Sequence, residues 1–394
     1  MSRWLIAECR PAGWLRSVAR AGWLAVGLAA AGPVQAGFTT PAQTVTLGER
    51  SLRYHVVEAS GEGSRRDDGG PSVAIVLGGG PGFSSWNLEP VQHRLAELGY
   101  RTAIMDMIGV GENAVDGTVL AGQPLLDTWV AQVEALRRAV AGKRSVVVLG
   151  HSWGALMALL YTRAHPDAVQ RLVLLNPVDP ERLAMRDVAE QIDRRRARAL
   201  GEAWDDESAW EQRTGGGEDA AASARHQIER SLPSYFLDYE QGRRYAERFD
   251  ASDFSARLNI EGWRAYRENP VDYATIRRWD VPIDVIGCRK DLLMPVSLEA
   301  MRANLSLDRV VMLDGCVHFP WEEVPQAFGE ALGRVLPAAH GRIEGVQSSC
   351  AAPSMELPRF WMSSPRPFMV LQPAVRASRP GSKTSKANRA SGDR

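Results

Sequence analysis

Gly150-His151-Ser152-Trp153-Gly154 sets a serine between two glycines, directly after the apolar run Val146–Leu149 and before Ala155-Leu156-Met157. In a strand–turn–helix context, G-x-S-x-G makes an elbow: a sharp turn projects the serine hydroxyl, and the glycines make room for it. A serine hydroxyl is a weak nucleophile and needs a base that is itself oriented by an acid. In this arrangement the order is serine, acid, histidine, each just after a strand. Asp291 follows the apolar run "VPIDVIG" and His318 follows "RVVMLDG". Ser152, Asp291 and His318 are therefore the candidate catalytic residues, with Asp179, after "LLNPV", as the rival acid. Of the other histidines, His151 adjoins the serine, His93, His165 and His226 lie in helical stretches, and His55 and His340 flank the core.

Attack by a serine on an acyl group creates an oxyanion, and a second glycine cluster is suited to it. Gly78-Gly79-Gly80-Pro81-Gly82 ends the apolar run Val73–Leu77. No Lys-Ser/Thr pair follows, and no G-x-G-x-x-G opens a helix, so the loop is not a nucleotide-phosphate cradle. Pro81 removes one backbone N–H and stiffens what remains. The N–H of Trp153 with that of Gly79 or Gly80 would form the oxyanion hole, where one donor is worth about 3 kcal/mol of transition-state stabilisation. Phe83, Trp86, Trp153 and Phe319 flank these residues and either line an apolar pocket or pack in the core.

Six short apolar runs followed by turn residues position this chemistry: "SVAIVLG" (72–78), "YRTAIMDM" (100–107), "SVVVLG" (145–150), "RLVLLNP" (171–177), "VPIDVIG" (281–287) and "RVVMLDG" (309–315). Runs apolar at nearly every position read as parallel strands buried on both faces. "PVQHRLAELG", "LLDTWVAQVEALRRAV" and "ALMALLYTRAH" read as the helices between them. Before them, "QTVTLGERSLRYHVVEA" alternates like a hairpin with its turn near Gly48-Glu49. The pattern predicts an α/β core over 37–178 and 281–340. Residues 179–280 show no clear strand and read as a helical insertion above the C-terminal sheet edge, where open α/β proteins place their ligands. The insertion is a candidate lid.

The two ends differ from this body. Residues 1–36 hold four arginines and one glutamate, and 342–394 hold nine basic and three acidic residues. The whole chain is formally neutral, so the body between is acidic. Arg3, Arg10, Arg16 and Arg20, the apolar stretch 21–32 and the small-residue ending Val34-x-Ala36 read as an export signal, giving a periplasmic or secreted protein. The apolar stretch is shorter than the ~20 residues a membrane span requires. Residues 341–394, rich in Pro, Ser and basic side chains, read as a disordered tail. Neutral overall charge gives no sign of a nucleic-acid partner. The four cysteines form no disulfide scaffold, and they and the seven histidines show no metal-ligand spacing, so neither metal nor cofactor is expected.

Taken together, "GGGPG", "GHSWG" and "DMIGVGEN" (Asp106–Asn113) resemble the motifs of the α/β-hydrolase superfamily over roughly residues 70–335. Within it they resemble the proline iminopeptidase group, with its H-G-G-P-G loop, G-x-S-W-G elbow and D-Q-R-G-x-G-x-S segment. Gly78 stands in place of the loop histidine, Met107-Ile108 in place of Gln-Arg, and Glu112-Asn113 in place of the closing pair. The resemblance implies an α/β-hydrolase fold with a mostly parallel sheet, flanking helices and a helical lid. It also implies an aminopeptidase that releases an N-terminal residue, such as proline, from short peptides through an acyl-enzyme. The group reads the substrate's free amine with lid glutamates, one of them in a Trp-Glu pair. Trp210-Glu211 and Glu229 are the candidates, weighed against glutamates on solvated helix faces. A carboxylic ester hydrolase with the same triad is the alternative, and a non-catalytic binding member of the fold a third reading.

Under the implied fold, Cys288 and Cys316 end neighbouring strands about 4.8 Å apart, within reach of a disulfide. Two separate buried thiols, which are common in cores, are the favoured expectation, and a bridge in an oxidising compartment is the alternative.

Overall fold

Each apolar run forms a strand. In the computed structural model, which describes residues 37–60, 72–115, 124–181, 187–201 and 220–336, these are β3 (Ser72–Leu77), β4 (Tyr100–Ile104), β5 (Val146–His151), β6 (Val169–Leu175), β7 (Ile283–Cys288) and β8 (Arg309–Leu313). The predicted hairpin supplies β1 (Ala42–Leu47) and β2 (Arg50–Val57), with Leu47 opposite Arg50. Gly48 takes the left-handed φ of +60° that this turn needs. The export segment, the loop at 65–70, Glu211 and the tail lie outside the described residues.

The strands form one sheet in the order β1-β2-β4-β3-β5-β6-β7-β8, parallel from β4 to β8 and antiparallel at β1–β2 and β2–β4. Side chains alternate between the faces, so a strand covered on both sides is apolar at nearly every position. In β3, Val73, Ile75 and Leu77 enter one core while Ala74 and Val76 enter the other. In β5, Val146 and Val148 part from Val147 and Leu149 in the same way. Helices α1 (Glu89–Glu97), α2 (Leu125–Ala141) and α3 (Trp153–Ala164) cover the sheet. Val91 and Leu95 of α1 pack in one core, and Trp129, Val133 and Leu136 of α2 in the other.

Between β6 and β7 the described residues form α4 (Val188–Leu200), α5 (Ala220–Ser231), α6 (Tyr239–Ala246), α7 (Ala256–Glu268) and α8 (Tyr273–Ile276). Helices α9 (Val296–Asn304), α10 (Pro320–Glu323) and α11 (Pro325–Val335) complete the described chain. No helix among the described residues is long and apolar enough to cross a membrane. Among the same residues no group of three His, Cys, Asp or Glu could hold a metal ion.

One favoured expectation is corrected here. Cys288, the last residue of β7, and Cys316, in the loop after β8, are joined by a disulfide, with their Cα atoms 5.4 Å apart. The alternative of a bridge holds: adjacent parallel β7 and β8 bring the two cysteines within bonding distance. Both are fully buried. The bridge closes a loop of sequence separation 28, which corresponds to roughly 3–4 kcal/mol of unfolded-state restriction. A double variant with both cysteines replaced by alanine should lose about that much stability in urea unfolding of the oxidised protein. A loss under about 1 kcal/mol would show that the bridge does not act through chain restriction.

Candidate active site

β5 runs into α3 through a single residue, Ser152, whose φ of 55° and ψ of −118° lie outside the ordinary regions for a residue with a side chain. The backbone holds it there: Ser152 N–H donates to Leu175 C=O at 3.0 Å, and Ala155 N–H donates to Ser152 C=O at 3.0 Å. The flanking glycines are steric necessities. A Cβ on Gly150 would lie 2.2 Å from the Gly154 carbonyl oxygen, and one on Gly154 would lie 2.2 Å from that of Leu77. Helix α3 thus starts in backbone contact with β3. Trp153 is its first residue, so its N–H has no intrahelical acceptor.

The serine also sits where the topology opens a crevice. β3 pairs with β4 on one side and β5 on the other, so connections leave this point in opposite directions, the place where open α/β sheets bind ligands. Leu77, which ends β3, is paired with Gly150 in the elbow. The glycine loop after β3 therefore lies beside the serine: a Cβ on Gly79 would be 3.4 Å from Ser152 Cβ. Gly80 has φ +124°, and a Cβ there would be 2.9 Å from the nitrogens of Gly82 and Phe83. Gly78 also answers to crowding, since a Cβ would lie 2.5 Å from Ser85 Oγ. A histidine at this position, as in the resembled group, would require the Ser85 side chain to shift.

Two buried carboxylates hold this loop. Asp106 accepts the N–H of Ser85 at 2.6 Å and of Glu112 at 2.9 Å. Burial pushes its pKa up to about 6, partly offset by those hydrogen bonds. Asp253, in the lid, accepts Ser84 Oγ–H at 2.5 Å and the Trp86 indole N–H at 2.8 Å. Lid and loop also join through backbone: Ser84 N–H donates to Asp253 C=O, Ser255 N–H donates to Gly82 C=O, each at 2.8 Å, and Asn259 Nδ2–H donates to Pro81 C=O at 2.8 Å.

Asp291 follows β7 and His318 follows β8, and the two meet. His318 Nδ1 lies 2.8 Å from Asp291 Oδ2. A carboxylate oxygen accepts, so Nδ1 carries the proton and Nε2 is the nitrogen left to take another. Asp291 is fixed by Leu293 N–H at 2.9 Å and Asn176 Nδ2–H at 2.5 Å. Asn176, at φ 44°, also donates to Val317 C=O at 3.1 Å, so one amide braces both acid and base loops. The rival acid is engaged elsewhere, because the Tyr273 hydroxyl donates to Asp179. His151 donates through Nε2 to the His318 carbonyl at 3.0 Å. Burial drives its pKa well below the usual histidine range, with the nearby His318 adding to the effect, so the ring stays neutral.

A family model described as the alpha/beta hydrolase fold matches residues 74–325. The chain belongs to the α/β-hydrolase fold family. Over 123 residues this hydrolase is 35% identical to the proline iminopeptidase of Lactobacillus helveticus (strain DPC 4571), covering 30% of the chain and only 40% of that relative's length. Over 274 residues it is 25% identical to the proline iminopeptidase of Lactobacillus delbrueckii subsp. bulgaricus, covering 66% of the chain and 87% of the relative. A hydrolase from Pseudomonas aeruginosa PA01, 20% identical, superposes with a TM-score of 0.55 over 76% of this chain and 100% of the other, a likeness of fold.

In this α/β hydrolase a cavity of about 280 Å³ opens onto the elbow, and Ser152, His318, Gly79 and Gly80 all line it. Its walls are mainly apolar, from Phe83, Val178, Val188, Ile192, Leu232, Phe254, Trp263 and Leu293. Asn87, Gln227, Ser231 and Asn259 add neutral polar groups, and none of the described lining residues is Asp, Glu, Lys or Arg. Two expected contacts fall elsewhere. Trp86 is absent from the wall; it is buried, with its ring 4.5 Å from that of Phe249 and its N–H spent on Asp253. Glu229 is exposed and paired with Arg225 at 2.6 Å. At 100° per residue, the face of α5 that brings Gln227, Ile228 and Ser231 to the cavity turns Glu229 away. Trp153, also buried, packs its ring 4.6 Å from Trp263; only its backbone N–H is a candidate for the site. The sequence reading gave no role to Asn176 or Asp253, for which single-residue types carried no signal.

Proposed function

We propose that this α/β hydrolase is a serine hydrolase that works through an acyl-enzyme. Ser152 Oγ attacks a carbonyl carbon while His318 Nε2 takes its proton. Asp291 holds the tautomer that leaves Nε2 free and stabilises the resulting imidazolium. The oxyanion is held by the N–H of Trp153 and that of Gly79 or Gly80. Collapse expels the leaving group, which takes the proton from His318. Water then attacks the acyl-enzyme with His318 as base, releasing the acid and restoring the serine. The observation that carries this reading is that His318, bonded to Asp291, lines the same cavity as Ser152 on its elbow.

For the substrate, the first reading is an aminopeptidase acting on short peptides. It is supported by the similarity to proline iminopeptidases across 87% of one relative's length. Glu211, outside the described residues, is then the proposed reader of the free amine. The second reading, a carboxylic ester hydrolase, is favoured by the uncharged wall among the described residues. Export is part of the proposal, supported by the basic and apolar segment at 1–36 and by a buried disulfide of the kind that persists in oxidising compartments.

A panel of aminoacyl amides and short acyl esters separates the readings. Cleavage of prolyl-naphthylamide is the expected result for the peptidase, and cleavage of esters alone decides for the second. If Glu211 pairs with the amine, Glu211→Gln lowers kcat/KM on amides by on the order of a hundredfold, as for truncating one partner of a buried charge pair. An ester lacking the amine is spared. Equal losses on both substrates would remove Glu211 from amine recognition.

A further inference from the structure

The backbone N–H groups of the loop that carries His318 converge on one side chain. Glu323, at the end of α10, accepts with Oε2 from the N–H groups of Val317 at 2.9 Å, His318 at 3.2 Å and Phe319 at 3.2 Å. Its other oxygen, Oε1, accepts the N–H of Leu237 at 2.7 Å. Leu237 belongs to the lid, between the turn Leu232–Tyr235 and α6. Just before it, Tyr235 lines the cavity with its ring 5.0 Å from that of His318, and Phe236 stacks on Phe319 at 5.0 Å. The side chain of the neighbouring Glu322 joins the lid differently, through Arg248 at 3.0 Å, and accepts from no N–H of the His318 loop among the described contacts.

We propose that Glu323 is a positioning residue that ties the lid to the base loop through a single carboxylate, so that seating of the lid segment 235–237 and alignment of His318 are one event. This rests on the reading of His318 as the base. The physical ground is acceptor capacity. A carboxylate offers two accepting oxygens, and here each serves a different element. Loss of either half leaves backbone N–H groups of a packed segment without an acceptor. A substrate that presses on Tyr235 would therefore act on the placement of the imidazole as well as on the cavity wall.

Amide hydrogen exchange on the wild-type protein tests the tie without turnover. The N–H groups of Leu237, Val317, His318 and Phe319 should open together as one cooperative unit. Leu237 exchanging on the order of a hundredfold faster than the other three would overturn the proposal. In kinetics, Glu323→Gln keeps one accepting oxygen and turns an NH2 toward either set of donors. The expected result is a kcat lowered roughly ten- to a hundredfold, as for losing a hydrogen bond to a charged group, with KM little changed. Glu322→Gln, which cuts only the partly exposed pair with Arg248, should stay within roughly fivefold of the wild type. Equal effects of the two variants, or an unchanged kcat for Glu323→Gln, would also overturn it. Should Glu323→Gln fail to fold, the exchange result on the wild type decides. Should His318 not be the base, its substitution leaves turnover intact, while the exchange pattern still reports on the tie.

Discussion

Ser152→Ala is expected to leave the protein folded and to lower kcat by on the order of a millionfold, because nucleophile, base and acid act as a unit. The residual rate would be the roughly 10³–10⁴-fold over water that binding and the oxyanion donors supply without a nucleophile. The fold should tolerate the change. Ala keeps the Cβ, and the elbow is held by the backbone bonds from Ser152 N–H to Leu175 and from Ala155 N–H to Ser152. Circular dichroism and thermal unfolding check the fold, and titration with an acylating ester checks for a covalent intermediate. A variant that kept more than about a hundredth of wild-type turnover would mean that Ser152 is not the nucleophile.

Gly154→Ala is expected to destabilise the protein by about 3 kcal/mol or more, the upper end for overpacking a filled site. Local propensity predicts the reverse, since Gly154 lies in the first turn of α3 and alanine is favoured over glycine in helices by about 1 kcal/mol. The contact decides the sign. The new Cβ would stand 2.2 Å from the Leu77 carbonyl oxygen and 2.7 Å from that of Gly78, and neither is the end of a flexible side chain that can swing aside. Helix and strand must separate, which moves the serine away from Gly79 and Gly80. Urea unfolding measures the first effect and turnover the second. A midpoint equal to or above the wild type would refute the close approach of α3 to β3.

These two glycine contacts mark how far the sequence could be read. G-x-S-x-G after a strand carried the elbow because the motif is local: five consecutive residues meet the same steric demand in any chain that makes the turn. The strands were legible because a strand buried on both faces is apolar at nearly every position, and a buried polar residue such as Asp284 needs a partner, here Arg171. Pocket contacts were less legible. Phe83 and Asn87 reach the cavity, whereas Trp86 between them is buried beside Phe249 with its indole N–H bonded to Asp253 of the lid. Glu229 shares a helix with three cavity-lining residues and faces solvent, a difference of helical phase that residue type does not encode.

What the sequence determined by itself is therefore what depends on period, on local turn chemistry and on order along the chain: the hairpin at Gly48, the six core strands, the helical insertion after β6, and candidate residues in the order serine, acid, histidine. Tertiary structure decided which polar groups meet. It paired Asp291 with His318 and Asp179 with Tyr273, joined Cys288 to Cys316, and set Asn176, Asp253 and Glu323 as braces across segments far apart in sequence. The reason is that a buried donor or acceptor must find a partner, and which partner lies within hydrogen-bond reach follows from strand order and helix packing. Parallel β7 and β8 bring residues 288 and 316 together across a separation of 28, a proximity that no local pattern along the chain records.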